Sequence, residues 1–166
     1  MGTAVRVGDR IVAAEASSVT LKFNDGSLSS LHANTDARID LMRGVPSTDL
    51  IAQRLRLDAG RIEHAVTPRK NPSSSFEVQT AVATMGVRGT KFRTTVDDTT
   101  RGEVTEGQVA TTGTGSPAAV VLDPDDLVTV LDVEGRLALV VASCGIGWIE
   151  IEALHVVARW RDRVSA

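Results

Sequence analysis

The chain has 166 residues, of which 42% are hydrophobic and 23% are charged, and this composition predicts one soluble globular domain with its own core. The formal net charge is −3, which argues against nucleic-acid binding because that function needs a basic face. A single cysteine excludes an internal disulfide, and no run approaches the ~18 apolar residues of a membrane-spanning helix.

The N-terminal sequence MGTAVRVGDR lacks the basic and apolar stretches of a signal peptide. Either the protein is cytosolic or its leader lies outside this chain. A start in the middle of a strand-like pattern favours a chain from which a leader has been trimmed.

Alternation of apolar and polar residues dominates the first half and predicts half-buried strands. It is clear at Val19, Leu21 and Phe23, after which the sequence NDGS at 24–27 predicts a hairpin, because Asn and Gly tolerate positive φ. Turns or loops that separate the strands are predicted at 43–49, 58–60 and 67–75.

The second half continues this pattern, with strands predicted around Phe76 and Phe92 and again beyond Val104. Turns or loops are predicted at 97–100, 106–107, 112–117, 123–124 and 134–135. Near the C-terminus, a strand to about residue 151 is followed by an apolar stripe with a spacing of about 3.6 residues, which predicts a helix from about residue 152.

A short motif recurs along the chain, as LDAGRI at 57–62, VTEGQV at 104–109 and DVEGRL at 132–137. The intervals differ, so these copies do not form a strict repeat array. Short β-rungs stacked on one another and independent hairpins with the same turn chemistry both account for the motif.

Two segments resemble ligand-binding motifs, but neither meets the structural requirement of its motif. GTGSPA at 113–118 matches the dinucleotide fingerprint G-x-G-x-x-A, yet Asp123-Pro124 leaves no room for the helix that this motif needs, which favours a loop. The sequence DPDD at 123–126 favours a turn over a calcium site.

The residues most often used in catalysis and metal binding are scattered. His32, His64 and His155 do not have the spacing of metal ligands, and the apolar neighbours of Cys144 favour a buried, inert thiol. We therefore predict no metal site, no cofactor and no catalytic residue.

Residues 83–92, ATMGVRGTKF, place an arginine between two glycines just before an alternating run. Two glycines so close together predict a bend or bulge in a strand. Phe92 shares the parity of Arg88 on a regular strand, so an extra residue at the bend is needed to return Phe92 to the core. Two roles are open for Arg88: an anchor that bonds a neighbouring strand, which is favoured, and part of a small anion site beside bared glycine amides.

The segment at 80–113 that contains this stretch resembles the hallmark of FecR-like domains, which are extracytoplasmic bacterial domains named after the iron-dicitrate transport regulator. Residues 6–39 resemble the opening of the same domain, and the resemblance extends over roughly residues 5–135. The matching signature residues are Thr80, Ala83, Val87, Arg88, Gly89, Thr90, Phe92, Val104, Glu106, Gly107 and Val109.

The resemblance implies an all-β fold, either a short-stranded β-solenoid or a flattened two-layer β-sandwich, in which the signature residues are mainly structural. It implies a periplasmic or other extracytoplasmic location and offers no catalytic residues. We expect the β-domain at 1–137, and a C-terminal strand and helix at 138–166 that pack on it or mediate association.

In the regulator branch of the family, such a domain receives a signal from an outer-membrane transporter and passes it to a cytoplasmic anti-sigma segment. This chain departs from that branch, because its sequence has neither a transmembrane helix nor N-terminal anti-sigma helices. The leading hypothesis is a non-enzymatic sensor domain that docks a protein partner, such as an outer-membrane receptor or another envelope protein, at an exposed sheet edge or face. The alternatives are a spacer or glycan-binding module of a larger exported protein and an enzyme of an unrecognised type.

Overall fold

Short β-strands make up nearly all of the regular structure. The computed structural model describes residues 2–114, 119–124, 126–133 and 136–143, and these residues contain no helix long and apolar enough to cross a membrane. They form thirteen strands and one 3-10 helix, Pro46–Thr48. The strands are β1 (Arg10–Ala13), β2 (Val19–Lys22), β3 (Leu28–Leu31), β4 (Thr35–Val45), β5 (Leu50–Ala65), β6 (Ser75–Gln79), β7 (Ala83–Val87), β8 (Lys91–Val96), β9 (Thr100–Glu106), β10 (Val109–Gly113), β11 (Ala119–Leu122), β12 (Asp126–Val133) and β13 (Arg136–Ser143).

The strands form one continuous hydrogen-bonded network, which the long strand β5 divides into two sheets. Sheet A has the order β1-β4-β5-β6-β7-β10-β11 and uses the first half of β5. Sheet B has the order β2-β3-β5-β8-β9-β12-β13 and uses the second half. Among the described strands, β5 and β6 pair in parallel and the other pairs are antiparallel.

The two sheets share a hydrophobic core. Phe76 of sheet A lies with its ring centroid 6.5 Å from that of Phe92 in sheet B, in an edge-to-face arrangement. Thr94 of sheet B donates a hydrogen bond to Met85 Sδ of sheet A at 3.4 Å. Because full burial of such an apolar side chain contributes about 1.5–3 kcal/mol, this shared core is the main source of stability.

The chain alternates between the sheets, forming one or two strands in one sheet before it crosses to the other. Several crossings contain a residue with positive φ, which allows the chain to turn sharply out of the plane of its sheet. These residues are Ala16, Asn34, Gly60, Gly89 and Gly107.

Gly60 marks the point at which β5 leaves sheet A and enters sheet B. Its φ is +91°, and a Cβ atom there would lie only 2.5 Å from the carbonyl oxygen of Asn34 and from Cα of Thr35. The buried hydroxyl of Thr35 fastens this crossing, since it accepts a hydrogen bond from the Arg61 amide at 3.0 Å and donates one to the Arg61 carbonyl at 3.1 Å. The backbone geometry and the close packing both require glycine at this position.

The all-β fold class predicted from the sequence is confirmed. The turn predicted at 58–60 is wrong, because Gly60 serves a crossing within β5 and the chain does not reverse there. The loop predicted at 43–49 is shorter than expected, because β4 continues to Val45.

The copies of the recurring glycine motif do not share one chain path. LDAGRI lies within β5, and VTEGQV carries the chain from β9 in sheet B to β10 in sheet A. DVEGRL, by contrast, joins β12 and β13, which pair with each other. The same sequence signal therefore corresponds to two different chain paths.

Several predictions fall on residues that are not described. The C-terminal helix from about residue 152, Cys144, His155 and residues 115–118 of GTGSPA all lie outside the described residues. The boundary predicted between 137 and 138 falls inside β13, and the division into 1–137 and 138–166 stays a prediction.

Replacing Gly60 with Ala tests the crossing. Gly60→Ala should lower the free energy of unfolding by at least about 2 kcal/mol, since it adds a left-handed conformational penalty to a backbone collision. Chemical denaturation of the purified chain measures this change. Gly44→Ala is the matched control, because Gly44 lies in β4 without positive φ and a Cβ atom added there would meet no other atom within 4 Å. An equal loss of stability in the two variants would contradict the special role of Gly60.

Candidate partner-binding surface

Most residues of the signature are buried. Thr80, Ala83, Val87, Thr90, Phe92, Val104 and Val109 are each exposed by 5% or less. Gly89 and Gly107 are partly buried at crossings between the sheets, whereas Arg88 and Glu106 are exposed. The signature thus combines nine residues that shape the fold with two charged residues that reach the solvent.

The glycine beside Arg88 belongs to the crossing from β7 in sheet A to β8 in sheet B. Gly89 has a φ of +85°, and a Cβ atom there would lie 2.5 Å from Cα of Pro68. The crossing itself supplies the extra residue that the parity of the sequence requires, since Val87 and Thr90 are both buried and two residues, Arg88 and Gly89, lie between them. Phe92 consequently returns to the core, where it is 2% exposed.

Arg88 itself is exposed and forms no hydrogen bond or ion pair with any residue in the described part of the chain. The anchoring bond that was expected is therefore not made by these residues. In β7, Ala83, Met85 and Val87 are buried, and Arg88 follows the last residue of this strand, at the point where the chain leaves sheet A.

A shallow cleft of about 230 Å³ opens next to this crossing, lined by Gly26, Leu28, residues 65–68, residues 89–91 and Glu106. Its charged side chains, Lys91 and Glu106, bond to each other at 2.5 Å between Nζ and Oε2. Because this pair neutralises the cleft and Arg88 does not line it, the geometry does not support a small anion site there.

The outer face of sheet B carries a network of paired charges. Glu63 accepts hydrogen bonds from Arg61 Nη2 at 2.9 Å and from Arg93 Nε at 3.0 Å, and Arg93 Nη1 also donates to Glu103 at 2.7 Å. Burial by itself would raise the pKa of Glu63, but the hydrogen bonds from Arg61 and Arg93 outweigh it and hold the pKa below its ordinary value. These charges are satisfied within the domain.

Three arginines occupy directly opposite positions on adjacent strands of sheet A, and we call them the arginine row: Arg10 of β1, Arg38 of β4 and Arg56 of β5. Arg10 Nε donates to Asp36 at 2.8 Å, and Arg56 Nε donates to Asp58 at 3.0 Å. Arg38 lies between them, is exposed, and has no bonded partner in the described part of the chain.

Like charges at directly opposite positions of a sheet are destabilising, so the arginine row opposes folding unless other groups offset it. Arg43 of β4 is likewise exposed and without a bonded partner among the described residues. Arg54, in contrast, bonds Glu77 at 2.8 Å. Sheet A therefore presents two exposed arginines, Arg38 and Arg43, that make no hydrogen bond or ion pair among the described residues.

A buried ion pair, which was not predicted from the sequence, fastens the loop between β5 and β6. Arg69 Nη2 donates to Asp25 Oδ2 at 2.6 Å and to Gln53 Oε1 at 2.6 Å, and the Arg69 and Asp25 side chains are only 4% and 5% exposed. Burial by itself would raise the pKa of Asp25, but hydrogen bonds from Ser27 and the charge of Arg69 outweigh it and lower the pKa. No local pattern links the two residues, because they are 44 positions apart.

His64 is a core residue. Its Nδ1 lies 2.8 Å from Ser29 Oγ, and its ring stacks on Phe92 with 4.6 Å between the centroids. Burial lowers the pKa of His64 to about 3, so the ring is neutral at ordinary pH. The ring therefore serves packing, and its buried position keeps it away from the surface on which a partner would dock.

Breaking the buried pair should be costly. Asp25→Ala should lower the free energy of unfolding by roughly 3–5 kcal/mol, because it leaves the Arg69 guanidinium buried without its counter-ion. Asp58→Ala is the matched control at an exposed pair and should cost less than about 1 kcal/mol. Denaturant titrations of both variants measure the difference, and equal losses would contradict the structural role of Asp25.

The buried histidine should make stability depend on pH. The unfolded chain binds a proton at His64 below about pH 6.5, whereas the folded chain resists it down to about pH 3, so stability falls as the pH falls between these values. The expected loss from pH 6.5 to pH 4 is roughly 3 kcal/mol. His64→Gln should flatten this slope in denaturation curves recorded across that range, while His32→Gln, which alters an exposed ring, should keep most of it. A slope that survives in His64→Gln would refute the assignment.

Comparisons with known proteins agree with this architecture. Residues 9–110, more than half of the chain, match the model of the family described as FecR protein. No curated protein matches the sequence. Two crystal structures of a "putative anti-sigma factor" from Parabacteroides distasonis ATCC 8503, at 1.65 and 2.50 Å resolution, are similar in fold, each with a TM-score of 0.63 and 18% sequence identity.

Each of these matches covers 79% of this chain and 58% of the other, so the chain spans little more than half the length of those structures. At that level of identity the likeness concerns the fold. The family match supports a signalling or regulatory domain. The chain belongs to the FecR family.

Proposed function

We propose that this protein is a non-enzymatic, extracytoplasmic signalling domain that docks a protein partner at Arg88, where the chain leaves sheet A. The observation that carries the proposal is that Arg88 is exposed and makes no bond among the described residues, within a signature whose other members, apart from Glu106, are built into the core and the crossings. Glu106 is paired with Lys91, so Arg88 is the signature charge left available for a partner.

The chemistry of Arg88 suits recognition. A guanidinium presents five N–H donors in a planar fork, and arginine is enriched at protein interfaces. Burial of the neighbouring Val87 and the close approach of Gly89 to Pro68 fix the backbone from which the side chain projects. A partner would therefore meet a charge held on a rigid support, which lowers the entropy lost on binding.

The family supports the setting. FecR-like domains resemble this chain in the segment that contains Arg88, and such domains belong to envelope regulators, which favours an outer-membrane receptor or another envelope protein as the partner. The solved structures with a similar fold are described as anti-sigma factors, which supports a change in transcription as the output.

Changing Arg88 in the parent gene tests this function. Arg88→Glu should leave the stability of the purified chain within about 0.5 kcal/mol, because the side chain makes no bond among the described residues. In cells it should alter the same set of transcripts as deletion of residues 9–110. RNA sequencing of the two strains, together with the abundance of the protein in the envelope fraction, measures both effects.

Arg101→Glu is the matched control, because it makes the same charge change on the exposed face of sheet B, where Arg101 bonds Asp97. It should leave those transcripts unchanged. If deletion of residues 9–110 changes no transcript, the spacer hypothesis replaces the signalling one. If Arg88→Glu behaves as the wild type while the deletion does not, docking at Arg88 is refuted.

A further inference from the structure

Building on the proposed function, we propose that the arginine row and the free edge of β1 bind an extended, carboxylate-bearing segment of the protein partner. The segment adds to sheet A as a strand beside β1, with an acidic side chain directed at the row. The chemical class of the partner and its place on the domain follow from three features of this face.

The first feature is charge. Adjacent strands are roughly 4.8 Å apart, so the three side chains of the row start from backbone positions within about 10 Å of one another. Arg10 and Arg56 each bond a carboxylate, whereas Arg38 between them makes no hydrogen bond or ion pair among the described residues and interacts with Asp36 only through its charge. A carboxylate on a strand beside β1 lies opposite Arg10 and roughly 10 Å from the backbone of Arg38, a distance that the two side chains can span together, so it would add a negative charge to the row and relieve its repulsion.

The second feature is the open edge of β1. Within the described residues, β1 pairs with β4 on one side and with no strand on the other. The backbone N–H and C=O groups of such an edge are available to an added strand. Val12 is 57% exposed and Val7 is 52% exposed, so apolar surface accompanies the free edge.

These two features together define the sequence pattern of the segment. Arg10 and Val12 have the same parity in β1 and lie on the outer face of the sheet. An added strand therefore places one side chain opposite Arg10 and another, two residues away, opposite Val12. An acidic residue fits the first position and an apolar residue fits the second.

The third feature excludes a uniformly anionic polymer. Asp36, Asp58 and Glu77 share the outer face with the arginines, and the whole chain has a net charge of −3. These carboxylates would repel nucleic acid or a polyuronate, whose charges recur at every unit. A peptide with a few carboxylates placed among apolar and neutral residues avoids that repulsion.

The test uses the isotope-labelled 166-residue chain and three short synthetic peptides that differ at one kind of position. In each peptide the residues of one face alternate between valine and Glu, Gln or Lys, and threonine fills the other face. The Glu peptide should shift the amide resonances of β1 and of Arg38, and it should bind more tightly than the Gln peptide by roughly three- to tenfold. The Lys peptide should not bind. Binding of the Glu peptide should weaken as salt is added.

Arg38→Glu is the decisive variant. It places a carboxylate between Arg10 and Arg56, so the domain should remain folded, with an unchanged or higher melting temperature, while the preference for the Glu peptide over the Gln peptide disappears. Lys22→Glu makes the same charge change at an exposed residue of β2 and should keep the preference.

Three results would overturn the assignment: equal binding of the Glu and Gln peptides, a preference that survives in Arg38→Glu, or tighter binding of alginate or single-stranded DNA that Arg38→Glu removes. None of these results bears on the transcript change expected for Arg88→Glu. A failure of the peptide test alone therefore refutes this docking site and leaves the signalling function standing, whereas a failure of the transcript test refutes the function itself.

Discussion

A chain that supplies strands alternately to two facing sheets must leave the plane of one sheet at every crossing. In this protein the crossings depend on left-handed residues, of which Gly60 and Gly89 tolerate no side chain because the backbone of Thr35 and of Pro68 lies within 2.5 Å of the missing Cβ. Each crossing brings strands that are distant in sequence into one core, so Phe76 of sheet A meets Phe92 of sheet B. Most signature residues serve this arrangement of two sheets. The signature glycines Gly89 and Gly107 lie at crossings, and the apolar signature residues fill the space between the sheets.

The charged side chains on the outer faces of the two sheets are paired to different extents. On sheet B, Glu63 lies among Arg61 and Arg93, and the side chains neutralise one another within the domain. On sheet A, the register of β1, β4 and β5 aligns three arginines, and Arg38 makes no hydrogen bond or ion pair among the described residues. A face whose charged side chains are all paired gains little from binding a charged partner. A face with an arginine that makes no ion pair can form a new one with a carboxylate of the partner. This difference is the physical reason for placing the partner on sheet A.

Features that depend on neighbouring residues could be predicted from the sequence, whereas features that depend on contacts between distant residues could not. Period-two alternation identified the strands, and the parity of Phe92 relative to Arg88 correctly required an extra residue at the bend, which lies at the crossing between the buried Val87 and Thr90. The turn predicted at 58–60 failed because a glycine with positive φ serves a reversal and a crossing equally well, and the choice depends on strands that pair elsewhere in the chain. The Asp25–Arg69 pair and the arginine row were invisible for the same reason, since pairing between distant residues depends on the register of the sheets and leaves no local pattern.

Stability and recognition can therefore be assigned to different parts of the domain. The buried Asp25–Arg69 pair and the shared core hold the loops and sheets in place, and a fully buried side chain such as Phe76 contributes about 1.5–3 kcal/mol. An unfavourable cross-strand pair on the surface costs at most about 1 kcal/mol. Because one core residue outweighs that cost, the fold can keep three arginines in directly opposite positions on its surface without losing its native state. The repulsion along the row destabilises the free domain slightly. In the proposed complex, a carboxylate of the partner would reduce this repulsion, and the reduction would favour binding.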